Sequence, residues 1–224
     1  MMAFITQSFI NRLNHSGLSS RLGFLAVLAF GCLSFVGVSA HAGGVQAEQL
    51  QIEKNAEGYA LSTSLTLDIS PAVEDALLKG VAVFFVLEAD IFRDRWYWVD
   101  KKVAGAQRQM RLSYQPLTRR WRLGVAFSAG PNASLSANDS AGPPVYLNQH
   151  FDNLTDALVS IKRISGWKVA DLQELEPSAK HRLEFKFKLD VTQLPRPLQL
   201  GVLGQGDWSL STIQTLKFVP DQLP

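Results

Sequence analysis

The chain has 224 residues, 46% hydrophobic and 19% charged, an ordinary globular composition that excludes a disordered or collagen-like protein. Its formal net charge is only +2, and its single cysteine excludes an internal disulfide framework and a cysteine-rich metal site.

Residues 1–42 read as a secretory signal peptide. Arg12 and Arg21 supply a positive start, Leu22 to Ala40 a 19-residue apolar run, and Ala40-His41-Ala42 an A-x-A cleavage pattern. Cleavage after Ala42 would deliver residues 43–224 to the periplasm or cell envelope. The alternative is an inner-membrane anchor through 22–40, because a spanning helix needs roughly 20 apolar residues. Cys32 lies inside the apolar run, with Ala29 where a lipoprotein signal wants a leucine-like residue. Without residues 1–42 the chain carries 20 Lys/Arg and 20 Asp/Glu, so the basic balance of the whole is no signal for nucleic acid.

The remaining 182 residues are enough for one sizeable core. Leu61, Leu65, Leu67 and Ile69 share one parity, the mark of a half-buried strand. Ser70-Pro71 opens a helix that runs to Lys79 and stops at Gly80. Val81–Trp98 follows, too long for one straight strand at about 3.3 Å per residue, so a bulge or bend is expected near Asp90–Asp94. Trp121, Leu123, Val125 and Phe127 alternate as another strand. Residues 129–144 are rich in Ala, Gly, Ser, Asn and Pro and read as a mobile surface loop. Asn153 caps a second helix with Leu154, Leu158, Ile161 and Ile164 on one face and Gly166 as its stop. Leu183, Phe185, Phe187 and Leu189 then alternate with charged residues. Gly201–Gly206 reads as a hairpin turn before a last strand marked by Trp208, Leu210, Leu216 and Phe218. The expected fold is α+β, mainly antiparallel β as a sheet or sandwich, with two short helices in a single domain over 43–224.

Several chemistries lack their residues. Beyond residue 42 only His150 and His181 occur, neither with a partner three or four positions away, so no metal site is expected. No nucleophile elbow or phosphate loop is present, and no cofactor is expected. Glu88, Asp90 and Asp94 share a parity beside aromatics, as a carboxylate-based glycan hydrolase would need. Their expected partners, however, are Arg93 and Arg95.

One segment stands out. From 93 to 122 there are seven arginines and two lysines against Asp94 and Asp100, a net +7. Trp96, Tyr97, Trp98, Tyr114 and Trp121 are interleaved with them. If Gln115 and Thr118 close a turn around Pro116-Leu117, Arg111 falls opposite Arg122 and Ser113 opposite Arg120. Like charges placed directly opposite are destabilising, so this face calls for acids from a neighbouring strand or an anion from outside. Arginine suits that task because its planar fork holds carboxylate or phosphate in a bidentate way. The expected function is a non-catalytic envelope binding module. Its site would comprise Arg93, Arg95, Trp96, Tyr97, Trp98, Arg111, Arg119, Arg120 and Arg122, facing an anionic lipid or glycan or an acidic partner.

The segments Gly80-Val-Ala-Val-Phe-Phe85, Arg93-Asp-Arg-Trp-Tyr-Trp98 and Leu112-Ser-Tyr-Gln-Pro-Leu-Thr-Arg-Arg-Trp-Arg122 resemble an exported proteobacterial family, domain of unknown function 4390. The likeness continues through Leu154–Leu158, Trp167, Leu189-Asp190, Leu194–Gln199 and Trp208. It implies a Gram-negative envelope protein and supplies no activity. Members are often encoded near a membrane sensor kinase, so the resemblance also implies an alternative role as accessory subunit of such a kinase. The loop at 129–144 looks like an insertion relative to the family.

Overall fold

A computed structural model describes residues 44–94, 100–130, 144–196, 199 and 206–223. The chain divides into Met1–Ala40 and His41–Pro224, and all described residues belong to the second unit. The signal or anchor segment therefore lies outside the described residues, as do the loop residues 131–143 and the turn residues 201–205. Among the described residues no helix is long and apolar enough to cross a membrane.

The first two strands, β1 (Val45–Asn55) and β2 (Gly58–Leu67), form a hairpin. Its turn is held by the Glu57 N–H donating to Asn55 Oδ1 at 2.9 Å. Gly58 sits at φ +140, and a Cβ there would meet the Ala170 carbonyl oxygen at 2.2 Å. Only glycine lets the two backbones come this close. Helix α1 (Pro71–Leu78) begins as expected, with Ser70 Oγ accepting from the Val73 N–H and Pro71 at the first position. Gly80, at φ +83, follows its C-cap Lys79.

A long meander follows: β3 (Val83–Arg93), β4 (Lys101–Gln115), β5 (Arg120–Ala129) and β6 (Leu147–Phe151). Helix α2 (Leu154–Lys162) is capped by Asn153, whose Oδ1 accepts from the Asp156 N–H at 2.8 Å. It leads into β7 (Arg163–Ala170), and β8 (His181–Leu189) and β9 (Ser211–Phe218) complete the fold. All strand pairs are antiparallel. They form two sheets, β1-β2-β7 and β6-β5-β4-β3-β8-β9. The fold is mainly antiparallel β with two short helices, as the alternation predicts.

The inward faces of both sheets and helix residues Val73, Leu77, Ala157 and Ile161 bury into one apolar core. Phe85 and Phe187, both fully buried, stack at 5.7 Å across the β3–β8 pair. Burial of such a side chain contributes about 2–3 kcal/mol. A side-chain hydrogen bond from Gln214 on β9 to the Ala47 carbonyl on β1 ties the two sheets along one edge.

Three local expectations need correction. Gly166 does not stop α2. The helix ends at Lys162, and Arg163 enters β7 directly, because Arg163 and Ile164 pair with Ser64 and Thr63 of β2. Gly166 instead takes φ +59 within the strand, where its N–H donates to Ser62 Oγ at 3.1 Å and the register slips. The irregularity expected near Asp90–Asp94 is present between Ile91 and Phe92, but the extra residue, Val103, belongs to the partner strand β4. Trp208 lies in a short 3-10 turn ahead of β9 rather than in the strand.

Candidate functional site

The arginine-bearing strands β4 and β5 present alternate residues to the core and to the outer face of the six-stranded sheet. Met110, Leu112, Trp121 and Leu123 are buried inward. Gln107, Gln109, Arg111 and Ser113 of β4 and Arg120, Arg122 and Gly124 of β5 share the outer face.

The register differs from the sequence expectation. Gln115 pairs with Arg120, so the loop is the four residues Pro116–Arg119, with Arg119 at φ +52 and Thr118 Oγ1 bonded to Gln115 Oε1 at 3.2 Å. The expected turn is two residues too short. A shift of two keeps every side chain on its face but changes its opposite partner. Arg111 therefore faces Gly124 and Arg122 faces Ser113. The two arginines are diagonal neighbours, roughly 7–8 Å apart at the backbone. That spacing removes the direct like-charge contact and leaves a gap between two guanidinium groups.

The gap is a pocket of about 410 Å³ lined by Arg111, Arg122, Ser113, Tyr146 and Asn148 among others. Gly124 makes room for it, since a Cβ there would come within 3.1 Å of Asn148 Oδ1 and 3.2 Å of Tyr146. Arg122 Nε donates to Asn148 Oδ1 at 3.0 Å, and Asn148 Nδ2 donates to the Tyr146 carbonyl at 3.2 Å. The Tyr146 hydroxyl donates to buried Gln109 at 2.8 Å. Burial raises the Tyr146 phenol pKa, and the nearby Arg111 charge acts in the opposite direction. Arg111 lies over the Phe84 ring at 5.7 Å. Among the described residues neither Arg111 nor Arg122 forms an ion pair.

The other expected site residues are placed elsewhere. Arg120 shares the outer face but pairs with Asp152 at 3.0 Å. Arg119 is exposed in the loop. Arg93 ends β3 and pairs with Glu176 at 2.6 Å. It lies nine residues along β3 from Phe84, the neighbour of Arg111, hence roughly 30 Å away. Arg95, Trp96, Tyr97 and Trp98 lie outside the described residues.

Glu88 and Asp90 pair with lysines rather than with the expected arginines. Glu88 accepts from Lys188 at 3.0 Å and Asp90 from Lys102 at 2.7 Å. The Asp94 N–H donates to the Lys180 carbonyl at 3.2 Å, and the expected partner Arg95 lies outside the described residues. Lysines take the carboxylates because β8 and the bulged end of β4 flank β3. Among the described residues no cluster of three metal-binding side chains occurs. His150 is exposed on β6 and His181 is buried.

Sequence reasoning missed Tyr146 and Asn148, which sit at the start of a short strand with no apolar alternation to announce it. It also passed over Arg108. That arginine has the core-facing parity of Met110 and Leu112, and this mismatch between charge and parity is a readable signal.

Neither a curated protein nor a solved structure matches the chain. The family model described as a domain of unknown function, DUF4390, matches residues 42–218, and with that span covered the chain belongs to the DUF4390 family.

Proposed function

We propose that this protein is a non-catalytic binding module of the cell envelope, in which Arg111 and Arg122 hold an anionic group of a ligand or an acidic partner. One observation carries the reading. Two guanidinium groups line one polar pocket without a carboxylate among the described residues, although carboxylates neutralise Lys102, Arg182, Lys186 and Lys188 on the same sheet face. Hydrogen bonds from a charged donor contribute about 1.5–3 kcal/mol each, so two forks on one anion give useful affinity without catalytic groups. The envelope assignment is supported by the order of charge, apolar run and A-x-A pattern in residues 1–42.

The test is capture by the tagged full chain from solubilised envelopes, with lipid and protein readouts, beside an Arg111→Gln/Arg122→Gln variant of unchanged melting temperature. The expected result is an anionic lipid, glycan or acidic protein that binds the unsubstituted protein, weakens with salt, and falls at least about tenfold in the variant. Equal recovery by both proteins overturns the site. Recovery of the unaltered protein in the cytosolic fraction overturns the location.

A further inference from the structure

The inward face of β4 carries a second arginine, remote in chemistry from the outer pocket. Arg108 stands on the core-facing parity and pairs with Phe127 of β5. Its guanidinium lies over the Phe127 ring at 4.8 Å and over the Trp167 ring of β7 at 5.0 Å, bridging the two sheets. Among the described residues its buried Nε has no hydrogen-bond partner and no carboxylate pairs with it. Burial lowers its pKa to about 10, which leaves it charged at neutral pH. A half-buried cation without a counterion is costly, and among the described residues only the ring contacts offset that cost.

A cavity of about 610 Å³ opens over this group, bounded by Phe127, Trp167, Val169 and Ala170. That size falls within the range of small-ligand pockets, which are mostly apolar with a few fixed polar groups. Phe127 is half exposed although it belongs to the inward face. Rings at the guanidinium's faces leave its in-plane N–H edge as the direction for an acceptor.

Two acids on the cavity wall narrow the ligand. Asp171 is held by Lys168 at 2.6 Å, and Glu174 Oε2 accepts the Asp171 N–H at 2.7 Å. Both carboxylates are engaged away from Arg108, and both repel a multiply charged guest. Among the described residues, one unpaired cation, two carboxylates and an aromatic slot together select a single negative charge on an apolar body.

We propose that Arg108 anchors a ligand site between the two sheets for an amphipathic monoanion, a carboxylate carried on an apolar chain, with the body packed against Phe127 and Trp167. The site is independent of the outer pocket, since the two lie on opposite faces of β4.

The test is calorimetric titration of the full chain with sodium decanoate below its micelle concentration, with decanol and inorganic phosphate as comparison probes. Saturable decanoate binding is expected, with decanol and phosphate each weaker by at least about tenfold. Decanoate should also raise the melting temperature. Arg108→Met should abolish decanoate binding and raise the melting temperature of the ligand-free protein, an outcome that a purely structural arginine would not give. If that variant fails to fold, Trp167→Phe provides the second test and should weaken decanoate while keeping the fold. Decanoate binding that survives Arg108→Met but is lost in Arg111→Gln/Arg122→Gln would place the carboxylate in the outer pocket and overturn this site. Absence of saturable decanoate binding by the unsubstituted protein overturns the proposal. So does equal binding by Arg108→Met, or phosphate or decanol bound as tightly as decanoate in a manner that Arg108→Met removes.

Discussion

The outer face of the six-stranded sheet has two halves built from the same residue types. On the β3–β8 half, Arg182 bridges Asp100 at 2.8 Å and Glu184 at 3.2 Å and lies over Phe92 at 4.9 Å. Glu184 also accepts from Lys186 at 2.6 Å, and Glu88 and Asp90 hold Lys188 and Lys102. On the β4–β5–β6 half, Arg111 and Arg122 meet amide, hydroxyl and ring groups instead. A neutralised network needs nothing from outside. Two uncompensated guanidinium groups beside a pocket keep their charge available, so the second half is where an anion gains most.

The largest expected effect breaks the neutralised half. Glu184→Gln removes the carboxylate shared by Arg182 and Lys186 and should cost about 1–2 kcal/mol in urea unfolding at pH 7. The Lys186 hydrogen bond leads the causes that lower the Glu184 pKa from its ordinary 4.5. A depressed carboxylate contributes its stability above the unfolded value and loses it as pH falls through the folded one. The unsubstituted protein should therefore lose this contribution below about pH 4.5, and Glu184→Gln should show a flatter acid limb. An equal acid limb in both proteins would deny the network its role.

Next comes the end of β3, where charges surround a buried imidazole. His181 Nδ1 donates to the Ala179 carbonyl at 3.0 Å, and its buried Nε2 has no hydrogen-bond partner among the described residues. Burial is the largest cause lowering its pKa from 6.5, aided by Arg93 and opposed by the Ala179 carbonyl and by Glu176 and Asp94. Below pH 6.5 the unfolded chain takes up a proton that the folded one resists, so stability falls on acidification. His181→Leu should remove about 1 kcal/mol of that fall between pH 7 and 5, read by unfolding at several pH values.

Smaller effects are expected in the unneutralised half. Gly124→Ala places a methyl against Asn148 and Tyr146 and should cost about 0.5 kcal/mol while loosening the Arg122–Asn148 bond. Anion binding should fall more than stability does. Smallest of all, Arg111→Gln and Arg122→Gln should each change stability by about 0.3 kcal/mol or less. A loss above about 1 kcal/mol for either would mean that this half is structural after all.

Parity was legible in the sequence wherever a strand buries one face. Leu183, Phe185, Phe187 and Leu189 are all buried, and Arg111, Arg120 and Arg122 all point outward, as their alternation predicts. Both helix starts were legible too, because Ser70 and Asn153 cap through local hydrogen bonds. The loop at Pro116–Arg119 was not, because a two-residue change in loop length leaves the hydrophobic pattern intact. Which arginines find acids was equally hidden. Glu88 and Lys188 are 100 residues apart and meet only because β8 pairs beside β3.

By itself the sequence determined the α+β class, the strand faces, the helix caps and the excess of arginine in one segment. Each of these depends on residues within a few positions of one another. Tertiary structure decided the strand order, the diagonal placement of Arg111 and Arg122, the lysine partners of Glu88 and Asp90, and the seat of Arg108 between the Phe127 and Trp167 rings. Those depend on which distant strands lie side by side, and the free energy of a charge is set by whatever neighbours that pairing supplies.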